Sequence, residues 1–182
     1  MFLFKVIDSF LKLNEKKYRD NKSENKKENK QIKFNSKSLV EQGEIEANKQ
    51  NFAKALTFFD EAIRMDPSFD CSYGDKALVL DLIGKYNESI NLYSKALELN
   101  PKNPITWYNK GLTFLHLKKI DEAIKCFDNA ISNDEAYSKA WYNKGKCFEM
   151  QGNVEKAQFC LSTAKKLDPF LFTKIKMKNK KD

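Results

Sequence analysis

The feature that most constrains this chain is a repetition. Ala62, Ala96, Ala130 and Ala164 stand 34 residues apart without a gap, and so do the large apolar residues Phe59, Tyr93, Phe127 and Leu161. Gly43, Gly111 and Gly145 keep the same phase, with Ala77 in the vacant place. Trp107 and Trp141 each open the pentapeptide Trp-Tyr-Asn-Lys-Gly. Pro67, Pro101 and Pro169 follow at 34 and then 68 residues, with Glu135 standing where the missing proline would be. Four copies fit without insertion, over 36–69, 70–103, 104–137 and 138–171. A fixed period of this length means units that cannot bury an apolar face alone and must stack on their neighbours.

Each copy carries helical spacing twice. In the third, Ile105, Tyr108, Leu112 and Leu115 form one stripe, and Ile120, Ile124, Phe127 and Ile131 form a second. Lys118-Lys119-Ile120-Asp121 and Gly84-Lys85-Tyr86-Asn87 mark the turns between paired helices, with Asp121 and Asn87 expected as N-caps. Gly111, Ala123 and Ala130 are expected where two helix axes approach, so a bulky residue there would cost about 1–3 kcal/mol. Proline after the second helix stops it and opens the next unit. Gly and Pro together supply only 10 of 182 residues, too few for the turns of an all-β fold.

This pattern resembles the tetratricopeptide repeat family, whose W-x2-L-G-x2-Y…A-x3-F…P signature is met best by Trp107, Gly111, Phe114, Ala123, Phe127 and Ala130. The first copy departs from it with Leu39 for the aromatic and Glu46 for the Tyr, and the second with Ala77 for the Gly. Lys76, Lys110 and Lys144 replace the family's Leu; their stems are expected to pack while the ammonium reaches water. The resemblance implies an all-α fold, a right-handed α-solenoid of four helix-turn-helix repeats over 36–171. It also implies a concave groove, lined by the first helix of each hairpin, that takes peptides or partner segments.

Carried over residue by residue, the candidate groove residues are Leu78, Tyr108, Asn109, Leu112, Lys139, Tyr142, Asn143 and Lys146. With Glu44 and Asp81 at one end, the groove runs from acidic-mixed through apolar to basic. It therefore suits a protein or peptide partner with apolar anchors beside acidic residues. One sub-type of the family clamps a C-terminal carboxylate through a set of Lys, Asn and Arg. Only Asn109 and Lys139 fit that set here, with Gly74, Leu78 and Asn143 in the other places, so the clamp is not supported.

The charge sits outside the repeats. Of 33 basic and 25 acidic residues, giving +8, residues 1–35 hold 10 and 5, residues 172–182 hold 5 and 1, and the array holds 18 and 19. Residues 14–35, with 7 Lys, 5 Asn and 3 Glu, are expected to be a disordered linker, and 172–182 a short basic tail. Residues 1–13 pattern as an amphipathic helix, with Lys5, Asp8, Ser9 and Lys12 on one stripe. Such a helix suits an anionic membrane surface or docking onto a partner, another copy or the solenoid itself. A cleaved signal peptide is disfavoured, because the charged n-region and small-residue cleavage site are missing.

Catalytic chemistry has no foothold. Cys71, Cys126, Cys147 and Cys160 form no C-x-x-C, and His116 is the one histidine, so no metal or cofactor is expected and the thiols suit a reducing compartment. No phosphate loop, H-E-x-x-H or nucleophile–base pairing occurs. Among the basic residues only Arg19 and Arg64 are Arg, which argues against specific nucleic-acid readout. The expectation is a noncatalytic, cytoplasmic interaction scaffold or adaptor. The alternative is a peripheral membrane tether, with nonspecific polyanion binding weaker and self-association through the short C-terminal cap (Phe170, Leu171 and Phe172) also open.

Overall fold

Each copy folds as a helix hairpin, and one device closes every hairpin. Gln50, Gly84, Lys118 and Gly152, again 34 apart, all have positive φ, of 63°, 80°, 59° and 74°. In each, the next residue's N–H bonds a carbonyl five residues back, as from Lys119 to Phe114 at 2.9 Å, while the positive-φ residue bonds three back, as from Lys118 to Leu115 at 2.9 Å. These paired bonds satisfy the last carbonyls of the first helix. Gly84 and Gly152 meet no atom within 4 Å of an added Cβ, so backbone conformation and not space favours glycine there. Lys118→Gly should therefore raise stability by about 1 kcal/mol, read from the shift in urea midpoint. No shift would mean that the left-handed turn is unstrained.

The computed structural model describes residues 26–171. Helix α1 covers 26–48, followed by α2 (Phe52–Met65), α3 (Asp70–Leu82), α4 (Tyr86–Leu99), α5 (Pro104–His116), α6 (Ile120–Asn133), α7 (Ser138–Met150) and α8 (Val154–Leu167). The described residues contain no strand. Helices α3–α4, α5–α6 and α7–α8 pair within repeats, while α2–α3, α4–α5 and α6–α7 join one repeat to the next. The architecture is an α-solenoid. The amphipathic segment 1–13, residues 14–25 of the expected linker and the tail 172–182 lie outside the described residues.

Three expectations change. Residues 26–35, expected to be irregular, belong to α1. A helix already anchored at 36–48 extends without a new nucleus, and Lys, Glu and Gln are good helix formers. Ser36, fully buried, donates to the Ile32 carbonyl at 2.9 Å, and Gln31 Nε2 donates to Asn35 Oδ1 at 2.8 Å. The N-caps of α4 and α6 are Lys85 and Lys119, so Asn87 and Asp121 sit two residues further on, within the first turn. Asp121 still suits the positive helix end, and it accepts from Gln151 Nε2 at 2.7 Å. Finally, the lysines in the family's Leu place do not simply run out to water. Lys76 pairs with Asp60 and Lys144 with Asp128, both at 2.5 Å, and Lys110 donates to Ser94 Oγ at 2.9 Å. Each ties a first helix to the second helix of the repeat before.

The aromatic at the head of α3, α5 and α7 is structural. Tyr73, Trp107 and Trp141 donate to the carbonyls of Pro67, Pro101 and Glu135 at 3.1, 2.8 and 3.0 Å. At three of the four junctions an Asp accepts the N–H two residues on, Asp66 from Ser68, Asp134 from Ala136 and Asp168 from Phe170, each at 3.0 Å, while the remaining one has Asn100. The core is equally periodic, with Phe59, Tyr93 and Phe127 at most 1% exposed. A Cβ at Gly111 would lie 2.6 Å from Cε1 of Phe127, and one at Gly43 would lie 2.4 Å from Cε1 of Phe59. Each missing side chain makes room for a ring.

Candidate peptide-binding groove

First helices face one another across repeats. Helix α3 touches α5 directly. His116 Nδ1 on α5 lies 3.1 Å from Asp81 Oδ1 on α3, and Asn143 Nδ2 on α7 donates to the Tyr108 hydroxyl on α5 at 3.0 Å. These bonds span 35 residues, one repeat plus one position, so they follow from stacking and not from helical spacing.

Along this face the eight candidate residues divide. Tyr108 is half-buried, its ring 5.8 Å from Phe127 and 5.1 Å from Tyr137, and burial raises its pKa. Its ring is part of the wall of this face. The Asn143 amide is committed, since it donates to Tyr108 and to the Lys139 carbonyl at 3.2 Å. The side-chain amide of Asn109, by contrast, has no partner among the described residues. Leu112 is half-buried in the cluster around Ala123, Phe127 and Cys147. Leu78 is 39% exposed and Tyr142 is half-buried. Lys139 is exposed with no ion pair to a described residue. Lys146 pairs with Glu149 on its own helix, which raises its pKa and mutes its charge toward the groove.

One functional candidate was missed from the sequence. Asp75 occupies the place that Asn109 and Asn143 hold in the later repeats. Burial first, then the charges of Glu44 and Asp70, push its carboxyl up to about 7. Nearby, partial burial and the same acids with Asp75 push the Cys71 thiol up to about 11, so it is a poor nucleophile at neutral pH. The available signal was a carboxylate where the repeated pentapeptide has Asn.

A larger cavity, about 440 Å³, lies away from the groove among Asp128, Lys144, Phe148, Lys156 and Phe159. Its main cation is already engaged, since Lys144 pairs with Asp128 and stands 5.3 Å from the Trp141 ring centroid. Among the described residues no three His, Cys, Asp or Glu side chains are grouped to hold a metal ion. No described helix is long and apolar enough to cross a membrane.

Models of the tetratricopeptide repeat match residues 104–137 and 138–171, and residues 36–69; a further repeat model of the same kind matches 82–118. The chain belongs to the tetratricopeptide repeat family. No curated protein matches it in sequence. Among solved structures, a crystal structure of MamA superposes with a TM-score of 0.70 at 19% identity, covering 78% of this chain and 85% of that one. MamA from Desulfovibrio magneticus RS-1 gives 0.67 at 18%, covering 75% and 77%. The Pseudomonas aeruginosa protein pilF gives 0.72 at 19%, covering 76% and 63%. At these identities the likeness establishes the α-solenoid fold. Repeats of this family on this fold support a protein–protein interaction scaffold, a type of fold that is typically noncatalytic.

Proposed function

We propose that the chain is a noncatalytic scaffold or adaptor that holds a partner segment in the groove running from Leu78 to Lys146. The observation that carries this reading is the combination of apolar surface and unspent polar groups on that face. Leu78 and Tyr142 offer apolar surface, and among the described residues the Asn109 amide has no hydrogen-bond partner and Lys139 no counter-charge. An extended segment placed there gains apolar burial, one backbone hydrogen bond and an attraction for acidic side chains.

Aromatic anchors carry affinity, whereas rim charges tune on-rate and salt dependence. For a partner captured by the intact array, Tyr142→Ala should cost about 1–2 kcal/mol of binding by calorimetry. Lys139→Glu should flatten the salt dependence more than Lys146→Glu, because Lys146 is already paired. If neither position matters while removal of residues 1–25 abolishes capture, the groove is not the site. The membrane-tether reading would then take over, to be tested by flotation with anionic vesicles.

A further inference from the structure

The groove reverses sign along its length. Lys139 and Lys146 stand on α7, while Glu44, Asp70, Asp75 and Asp81 cluster at the α1–α3 end. Of these, Asp81 faces His116, and Asp70 accepts from Asn100 Nδ2 at 2.9 Å. Glu44 and Asp75 have neither ion pair nor hydrogen bond among the described residues. Asp75 is also half-buried, unlike an ordinary solvated carboxylate.

A cavity of about 240 Å³ opens between these two acids, with Leu78 and Val79 on its α3 side, Asn48 on α1 and Phe59 on α2. Its lining is mixed, with the carboxylates of Glu44 and Asp75 alongside the apolar Ala47, Phe59, Leu78 and Val79. On α4 the buried Tyr93 hydroxyl lies beside Ser89 and feels the charges of Asp81 and Asp75, which with burial raise its pKa. The acids do not converge as metal ligands would. They suit a larger organic cation whose stem is apolar.

We infer that this cavity seats a lysine or arginine side chain of the bound partner, with the stem on Leu78 and the charged head between Glu44 and Asp75. The inference rests on the groove reading above and gives it a direction. The partner segment lies with its basic residue over α1–α3 and its acidic residues toward Lys139. A cation also supplies the charge that Asp75 lacks, so seating it favours the ionised carboxylate. Glu44 on α1, Asp70 and Cys71 on α3, and Tyr93 on α4 are the titratable groups coupled to it, and none of them is cationic. Affinity should accordingly rise between pH 5 and pH 8.

The test uses the full chain, isotopically labelled, with N-acetyl-arginine amide as probe and the uncharged N-acetyl-citrulline amide as control. Nuclear magnetic resonance shifts should move at Glu44, Asp75 and Leu78 with the arginine probe only. Binding should weaken at least tenfold in Asp75→Asn and further in Glu44→Gln/Asp75→Asn, with helicity unchanged. An equal response to citrulline, no response, or a response untouched by Asp75→Asn overturns the inference. A captured partner separates the two readings. Sensitivity to Tyr142→Ala without sensitivity to Asp75→Asn leaves the groove standing and removes the cation seat.

Discussion

Phe127→Ala should lower the stability of the array by about 3–5 kcal/mol, the usual cost of emptying a fully buried aromatic site. The ring is 0% exposed and packs with Ala123, Cys147, Tyr108 and Leu112, and therefore joins α5, α6 and α7. Because solenoid repeats contact only their neighbours, this loss strikes one internal joint. Hydrogen exchange should speed up in α5–α7 while α1–α3 keep more of their protection. Urea denaturation supplies the magnitude, and a loss below about 1 kcal/mol would show that the ring does not bridge the two repeats. Gly111 provides a coupled check, since its added Cβ would meet Cε1 of Phe127 at 2.6 Å. Gly111→Ala should be destabilising by about 1–3 kcal/mol alone and close to neutral beside Phe127→Ala, because the smaller residue vacates the contested volume.

Asp75→Asn should have the opposite sign, raising stability by about 3 kcal/mol at pH 8. The carboxyl is held up to about 7 from an ordinary value of 3.8. A raised acid binds its proton more tightly in the folded chain than in the unfolded one. Folding is therefore unpenalised below the unfolded value, loses stability as pH climbs from 3.8 toward 7, and carries the full penalty above that. Three units correspond to about 4 kcal/mol, and the remaining solvent contact of Asp75 reduces this. Thermal melts of both proteins should separate at pH 8 and converge near pH 3.5. A constant offset at every pH would mean that shape, and not charge, distinguishes the variant. A carboxylate that costs stability at neutral pH is a reasonable mark of a group retained for binding.

The buried acid Glu46 on α1 provides a contrast with Asp75 on α3. It accepts from Asn51 Nδ2 and Lys49 Nζ, both at 3.0 Å, and lies 3.4 Å from Lys54 Nζ. These partners hold its carboxyl down to about 2. Its contribution is thus present above 4.5 and lost as pH falls toward 2. In the sequence it was only a departure from the repeat signature. Its partners, five and eight residues away around the α1–α2 turn, explain how that turn tolerates the exchange.

The sequence by itself determined whatever recurs within one repeat. The paired helices and the proline-marked junctions depend on neighbours a few positions away, and the small and large core residues announce themselves by recurring every 34 positions. Helical spacing makes such relations visible in one dimension. The tertiary structure decided what the stacking angle brings together. Lys76 meets Asp60 and Lys144 meets Asp128 across 16 residues, while Asn143 meets Tyr108 and His116 meets Asp81 across 35. Those contacts changed the apparent groove, occupying Asn143 and leaving Asn109 open, while Glu149 muted Lys146 within a single helix. Burial likewise separated Asp75 from the solvated acids around it. Charge and hydrogen-bonding capacity can be read from composition, but whether a group is spent depends on which side chain a neighbouring repeat places within about 3 Å of it.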